Sequence, residues 1–241
     1  MKKTLLLTSM LLALTVSVAL AGGVNFAWGT LCYTENPVSA VTFACATNTF
    51  SAGWPMTASF VVDTPIPDFV GVEIVMEGQS DQATLPDWWK VGAAPDCRSL
   101  QATFAADFSG VAATCLDWNG GSPLNVFGYS YDTKRAHISA ASALAADAPI
   151  ALTAGDEWYA GQVKIKNNKT VGTGACTGCS YGMIWGLYSV AAAGVSGQRI
   201  DLYEPIPGGN QCLSWNNSIQ PCAPPVPARN TTWGQVKSLY R

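Results

Sequence analysis

Residues 154–168, AGDEWYAGQVKIKNN, contain the clearest strand pattern in the chain. From Tyr159 to Lys166 two sets of residues alternate, which predicts a half-buried strand with one set on each side. The set predicted to share one side is Tyr159, Gly161, Val163 and Ile165. The next run, TVGTGACTGC at residues 170–179, is dense in glycine and cysteine and cannot continue this alternation. It therefore predicts a covalently pinned loop at the edge or end of a sheet.

Short apolar runs bounded by turn residues recur along the rest of the chain, and no window shows a long helical period. Further strands are predicted at residues 24–28, 41–45, 56–63, 69–77, 99–108, 126–131, 135–145, 181–190 and 199–203. The turns between them draw on 23 glycines and 14 prolines. This pattern predicts an all-β fold, an antiparallel two-sheet β-sandwich of jelly-roll or immunoglobulin-like type with disulfide-pinned loops. A closed barrel is the alternative.

The N-terminus has the composition of a bacterial signal peptide. A positive start at Lys2 and Lys3 precedes an apolar run, and residues 19–21 (ALA) supply the small side chains of a cleavage site. We therefore expect a protein secreted to the cell surface or the extracellular space, with residues 1–21 removed. The expected organisation is a single sandwich domain at 22–222, a proline-rich spacer at 223–228 and a short tail at 229–241.

The charge balance argues against two classes of partner. Removing Lys2 and Lys3 leaves 11 of the 13 basic residues against 16 acidic ones, a net charge of −5. A mildly acidic chain without a stripe of Lys and Arg is a poor candidate for binding nucleic acid or anionic membranes. No later apolar segment is long enough to span a bilayer.

All eight cysteines lie in the expected mature chain: Cys32, Cys45, Cys97, Cys115, Cys176, Cys179, Cys212 and Cys222. An even number in an oxidising compartment predicts four disulfides, although the sequence leaves their connectivity open. Sequential pairing is the simplest hypothesis, with four short loops that each contribute about 2–3 kcal/mol.

Three motifs suggest chemistry that their surroundings do not support. The CTGC motif at 176–179 has the spacing of a thiol-disulfide oxidoreductase, but no helix follows it, so a structural role is favoured. The same absence of a helix argues against a dinucleotide loop at 172–174. His137 is the only histidine, and no Gly-x-Ser-x-Gly elbow accompanies it. We expect an ordinary strand histidine and no catalytic residues.

Acidic residues are frequent between positions 63 and 87. Paired carboxylates there could catalyse glycoside hydrolysis, and clustered oxygens could hold Ca²⁺. Neither arrangement has diagnostic spacing, so a solvated face is favoured, no cofactor is expected, and calcium is the better of the two alternatives. The residues concerned are Asp63, Asp68, Glu73, Glu77, Asp81 and Asp87.

Nine tryptophans are many for a chain of this size, and Trp88 and Trp89 are adjacent in a polar, turn-rich context. Neighbouring residues point to different sides of a strand or helix, which argues against burial of both rings. Exposed aromatic rings stack on sugars or anchor protein partners. We therefore treat this pair as a candidate binding patch.

The C-terminal tail is a second candidate for recognition. Thr232 and Gln235 make a capping-box pair at the start of a short helical pattern. Its predicted apolar side consists of Trp233, Val236, Leu239 and Tyr240. The tail is expected either to dock back on the domain or to be read by another protein.

Two resemblances accompany these patterns. The tail sequence TWGQVKSLYR, residues 232–241, and the block at 169–179 resemble uncharacterised secreted proteins of environmental bacteria. The segments 69–77 and 154–165 are similar to strand patterns of cohesin-like sandwich modules. That second resemblance implies a non-catalytic, protein-binding domain.

These observations predict a secreted, non-enzymatic structural, adhesive or protein-binding component. Its expected partners are other extracellular proteins, polysaccharide or copies of itself. A carbohydrate-binding module using Trp88 and Trp89 is the first alternative, and a secreted hydrolase built on the acidic region is the second.

Overall fold

Two β-sheets stack face to face in the computed structural model, which describes residues 21–33, 37–49, 54–106, 114–118 and 123–222. The described strands are β1 (Gly23–Trp28), β2 (Ala40–Val41), β3 (Trp54–Val61), β4 (Ile66–Ser80), β5 (Ala102–Ala105), β6 (Leu124–Tyr131), β7 (Arg135–Ala143), β8 (Ile150–Leu152), β9 (Glu157–Ile165), β10 (Met183–Gly194), β11 (Arg199–Leu202) and β12 (Cys212–Trp215). The predicted all-β, two-sheet sandwich is confirmed.

The smaller sheet has the strand order β1-β3-β9-β5, and the larger has the order β2-β12-β10-β4-β7-β6. Strand β11 adds to β10, and β8 adds to β4. Neighbouring strands run antiparallel, apart from the parallel pair β12 and β2. Because β6 ends the path of the larger sheet, its second edge pairs with no other named strand.

Strand β4 organises the larger sheet, since it pairs with β10, β7 and β8. It begins at Ile66, although two prolines nearby predict a stop before Phe69. The pairing with β8 is irregular between Ile66 and Phe69, so Pro67 lies where the ladder is already interrupted. A proline at such a position removes no regular hydrogen bond.

The predicted strand in the opening stretch is β9, but its alternation is broken. Between Ala58 and Ser59 of β3 the register shifts, and one extra residue of β9 forms a bulge next to Gly161. Trp158 on one side of the bulge and Val163 on the other therefore both face the core between the sheets. Tyr159 faces the opposite side, against Cys32 and Cys115. The prediction that Tyr159 and Val163 share a side is wrong because a bulge reverses the parity of a strand.

The disulfides join distant segments. Cys32 bonds to Cys115, Cys45 to Cys179, Cys97 to Cys176 and Cys212 to Cys222. Sequential pairing is correct only for the last pair. The other three span 83, 134 and 79 residues, and loops of that size predict about 4–5 kcal/mol of stabilisation each.

One predicted strand differs in extent. Of the predicted strand at 41–45 only Val41 pairs with a neighbouring strand, together with Ala40 before it. The predicted signal peptide is residues 1–21, of which residues 1–20 lie outside the described residues, as do the predicted spacer and tail at 223–241. None of the described helical segments has the length and apolarity that crossing a membrane requires.

Candidate functional site

Trp88 and Trp89 are both fully buried, with 0% of each residue exposed. They occupy a short 3-10 turn, Asp87–Trp89, which closes one end of the sandwich. From that position both rings enter the core, with their centroids 4.8 Å apart and their planes 78° apart. The prediction of an exposed patch here is wrong, because a turn at the end of a sandwich has core on both sides of its chain.

An aromatic cluster surrounds this pair. Trp215, on the edge-proximal strand β12, lies 5.3 Å from Trp88 and 5.0 Å from Trp89 between ring centroids. Its indole nitrogen donates to the carbonyl of Cys179 at 3.1 Å. The polar sequence context of these tryptophans therefore reflects the loops that they anchor, and their rings supply core packing.

The CTGC motif is a structural tie between three segments. Its two cysteines bond to Cys97 and to Cys45, not to each other. The carbonyl of Thr177, between them, accepts a hydrogen bond from the backbone N–H of Trp88 at 2.9 Å. The predicted structural role of the motif is confirmed, whereas the predicted internal bridge is wrong.

The carboxylates of the acidic segment are dispersed over the surface. Glu73 pairs with Arg199 at 2.7 Å, Asp87 pairs with Lys90 at 2.8 Å, and Asp81 accepts from Ser218 at 2.6 Å. No group of three His, Cys, Asp or Glu side chains within the described ranges is placed to hold a metal ion. The expectation that the protein needs no cofactor stays a prediction.

His137 lies on the outer side of the larger sheet, between two carboxylates. Its Nδ1 is 3.1 Å from Glu77, and its Nε2 is 3.5 Å from Asp132. Arg135 also reaches Glu77, at 3.1 Å. Burial and a hydrogen bond to Glu77 raise the pKa of Tyr188 far above its ordinary value. Arg135 and His137 thus share the carboxylate of Glu77 in a polar cluster on this side of the sheet.

Beside this cluster lies an exposed surface that sequence patterns alone did not single out. Leu124 is 78% exposed and Val126 is 66% exposed, and both point outward from β6. In the ladder they lie opposite Ala143 and Ala141 of β7. We call this surface the β6 face; it comprises Leu124, Val126, Gly128, Ser130, Ser139, Ala141, Ala143 and Val75.

The residues of the β6 face carry no charge. Strand β6 has the sequence LNVFGYSY, without charge or proline. Natural sheets commonly protect an edge strand with lysine, proline or a bulge. The pairing of β6 with β7 is regular over all eight residues, so no bulge twists this edge away. The strand therefore presents an extended apolar edge and side.

Other strand edges in the described part are short or covered. Strand β5 has four residues, and β11 carries Arg199 and Asp201. Backbone groups of Glu204 and Asn210 bond to Val24 and Phe26 along the free side of β1. This contrast sets β6 apart from the other edges.

Ion pairs flank the β6 face. On β4, Glu73 lies next to Ala141 in the ladder and binds Arg199, whose Nε also reaches Asp201 at 2.9 Å. At the other end stands the cluster around Glu77 and His137. The arrangement is an apolar centre with a charged rim, which suits contact with another macromolecule.

The β6 face escaped sequence analysis because β6 is apolar on both sides. Phe127 and Tyr129 pack against the core, while Leu124 and Val126 alternate with them on the outside. Two-sided apolarity is the pattern of a strand buried on both sides. The folded structure shows which side is which: Leu124 and Val126 face solvent, and Phe127 and Tyr129 face the core. The predicted tail residues Trp233, Val236, Leu239 and Tyr240 lie outside the described part of the chain.

Comparisons with known proteins add a resemblance in fold. No protein-family model matches the chain, and no curated protein matches it. A solved structure similar to it is the second type II cohesin module from the cellulosomal adaptor ScaA scaffoldin of Acetivibrio cellulolyticus. The two share 10% sequence identity with a TM-score of 0.37, over 82% of this chain and 98% of that module.

Proposed function

We propose that the protein is a secreted, non-enzymatic binding module that attaches to another protein at the cell surface or in the extracellular matrix. Its contact surface is the β6 face. The observation that carries this proposal is the exposure of Leu124 and Val126, side by side on an uncharged edge strand.

Leu124 and Val126 expose apolar surface to water in the free protein, and burying that surface against a partner is favourable. An exposed Leu or Val that becomes fully buried gains about 1.5–3 kcal/mol from removal of its apolar surface. The small side chains of Ser139, Ala141 and Ala143 let a partner approach the sheet closely. A contiguous apolar surface of this kind, bordered by polar residues, is typical of protein interaction sites.

The partner's chemistry follows from that of the β6 face. The partner's contact surface must be apolar at its centre, because the residues of the β6 face carry no charge. The rim of the β6 face carries groups of both signs, with Arg199 shared by Glu73 and Asp201. A protein surface with an apolar centre and a polar rim fits this arrangement better than a uniformly charged polymer does.

The disulfides support an extracellular setting. Four bonds, three of them between distant segments, persist in an oxidising compartment and are rare where thiols are kept reduced. Cys45–Cys179 and Cys97–Cys176 also hold the CTGC loop against two other segments, which makes that end of the sandwich rigid. A rigid surface loses little conformational entropy when it binds.

A paired-variant capture experiment tests the proposal. The double variant Leu124→Asp, Val126→Asp places charge on the β6 face, and the control Val195→Asp, Ile219→Asp changes two exposed apolar residues elsewhere. Each immobilised protein is exposed to extracellular extract from the producing bacterium. We expect a protein partner, or a second copy, that the wild type and the control retain and the β6-face variant loses. Equal capture by all three would contradict the proposal.

A further inference from the structure

A concave site lies at the end of the sandwich, next to Tyr131 at the end of β6, and none of its lining residues belongs to the β6 face. It is a cleft of about 240 Å³ lined by Gln82, Thr84, Leu85, Pro86, Asp87, Lys90, Thr177 and Tyr181. One wall is the segment that leads into the 3-10 turn, and the other is the CTGC segment with the residues after it. We propose that this cleft binds a neutral saccharide.

The walls of the cleft are held rigidly. The CTGC segment is fixed by bonds from Cys176 to Cys97 and from Cys179 to Cys45. The opposite wall is anchored by the buried rings of Trp88 and Trp89. The cleft is therefore preformed, and a ligand does not have to order it.

The two walls are in contact where Gly178 meets Pro86. Gly178 has φ of +101°, and a Cβ at this position would lie 2.3 Å from the Cβ of Pro86. Only glycine permits this approach together with this backbone conformation. The close contact between Gly178 and Pro86 sets the spacing between the walls. The CTGC loop therefore shapes the cleft through this contact as well as through its disulfides.

The lining combines an aromatic ring with polar groups. Tyr181 is 46% exposed and stands at the cleft. No hydrogen bond links the side chains of Gln82, Thr84 or Thr177 to other groups within the described ranges, so an amide and two hydroxyls stay available. A sugar ring has an apolar C–H side that stacks on an aromatic ring and hydroxyls that bond to such groups.

Charge balance selects a neutral ligand. Asp87 and Lys90 are the two charged residues among the described lining residues, and their side chains bond to each other at 2.8 Å. An anionic ligand would compete with Asp87 for the only lysine there, and a cationic one would compete with Lys90. A polyhydroxyl ligand can accept from Lys90 and donate to Asp87 without separating them.

Calorimetric titration of the full chain tests this inference. The probes are the pentasaccharides of the cellulose, xylan, mannan, starch and chitin series. We expect saturable binding of at least one of them. Tyr181→Ala should weaken that binding by about tenfold or more through loss of ring stacking, while Tyr181→Phe should change it by less than about threefold. The matched control, Tyr203→Ala, removes an equally accessible ring elsewhere and should leave the affinity unchanged.

The outcomes separate this site from the β6 face. If Tyr181→Ala unfolds the protein, Gln82→Ala tests the same cleft and should also weaken binding. At about 10 mM, ligands with a millimolar Kd are detected. If none of the five probes binds at that concentration, the inference is overturned. Undiminished binding by both Tyr181→Ala and Gln82→Ala would overturn it as well. The variant Leu124→Asp, Val126→Asp should bind the probe normally, so failure of either proposal can be recognised independently.

Discussion

The guanidinium of Arg98 stacks on the indole of Trp88, with its Cζ 3.6 Å from the ring centroid. Arg98 is fully buried, and no carboxylate among the described residues pairs with it. Its Nε donates to the carbonyl of Asn168 at 2.9 Å and its Nη1 to that of Trp88 at 2.7 Å. Its Nη2 donates to the carbonyl of Lys166. Burial lowers the pKa of Arg98 to about 9, which leaves the side chain charged at neutral pH.

Replacing Arg98 should therefore destabilise the end of the sandwich. Arg98→Met keeps much of the volume but leaves three carbonyls without their donor, and we expect a loss of about 3 kcal/mol or more. Arg98→Lys should recover only part, because a single ammonium cannot reach all three carbonyls in one plane. Urea unfolding of the three proteins measures this. A loss below about 0.5 kcal/mol for Arg98→Met, typical of a surface substitution, would contradict the assigned role.

The disulfide connectivity has a direct chemical test. Proteolysis without reduction, followed by mass spectrometry, should yield linked peptides that contain Cys45 with Cys179 and Cys97 with Cys176. Serine at both Cys45 and Cys179 should cost about 4–5 kcal/mol, against about 3 kcal/mol for the ten-residue Cys212–Cys222 loop. A peptide in which Cys176 is joined to Cys179 would refute the description of the CTGC loop.

The bulge in β9 depends on Gly161. A Cβ there would lie 2.4 Å from Cε2 of Phe104 and 3.2 Å from Cδ1 of Ile74, so Gly161→Ala overpacks the core. We expect a loss of about 1–3 kcal/mol by thermal or urea unfolding. The matched control is Gly128→Ala on β6, where the added Cβ meets only the carbonyl of Ser139 at 3.5 Å.

A double variant identifies the cause of that loss. Shortening Phe104 to leucine makes room for the new methyl group, so Gly161→Ala should cost less in the presence of Phe104→Leu than alone. Additive effects of the two substitutions would show that the ring of Phe104 is not the obstacle. A Gly128→Ala variant as unstable as Gly161→Ala would contradict the same argument.

The turn between β6 and β7 should make stability depend on pH. The carboxylate of Asp132 accepts from the backbone N–H groups of Lys134 and Arg135, each at 2.9 Å, and these bonds hold the pKa of Asp132 below its ordinary value. The stabilisation is complete above the pKa of the unfolded chain and is lost as pH falls through the folded pKa.

Asp132→Asn removes the charge and keeps an acceptor oxygen. The variant should be less stable than the wild type at neutral pH, and the difference should shrink as pH falls from about 5 to about 2. Unfolding curves across that range measure it, with the exposed Asp147→Asn as the control. A difference that stays constant with pH would contradict a contribution from the charged carboxylate.

Local patterns in the sequence identify most strands, because side-chain alternation and turn residues act over a few positions. The buried alternation of β7, with Ala136, Ile138, Ala140 and Ser142 inward, follows the predicted pattern. Features that depend on contacts between residues distant in sequence were not predicted. The parity of β9 changes at a bulge that depends on Phe104 and Ile74, both remote in sequence from Gly161.

The candidate sites were less predictable for the same reason. Adjacent tryptophans in a polar segment suggested exposure, but the end of the sandwich encloses Trp88 and Trp89 from both sides. Conversely, Leu124 and Val126 meet solvent because they lie on the outer side of the larger sheet, and a strand that is apolar on both sides does not reveal which side faces the core. Disulfide partners likewise depend on which loops meet in the folded chain.

Site-specific photocrosslinking shows whether the β6 face contacts another protein. A benzophenone amino acid replaces Val126 in the protein made by its native cells, and in separate samples replaces Val195 or Ile219, which are also exposed apolar residues. Ultraviolet irradiation should produce a protein adduct, with a partner or with a second copy, from position 126 and not from the other two. Adducts from position 195 or 219 without any from position 126 would contradict the account.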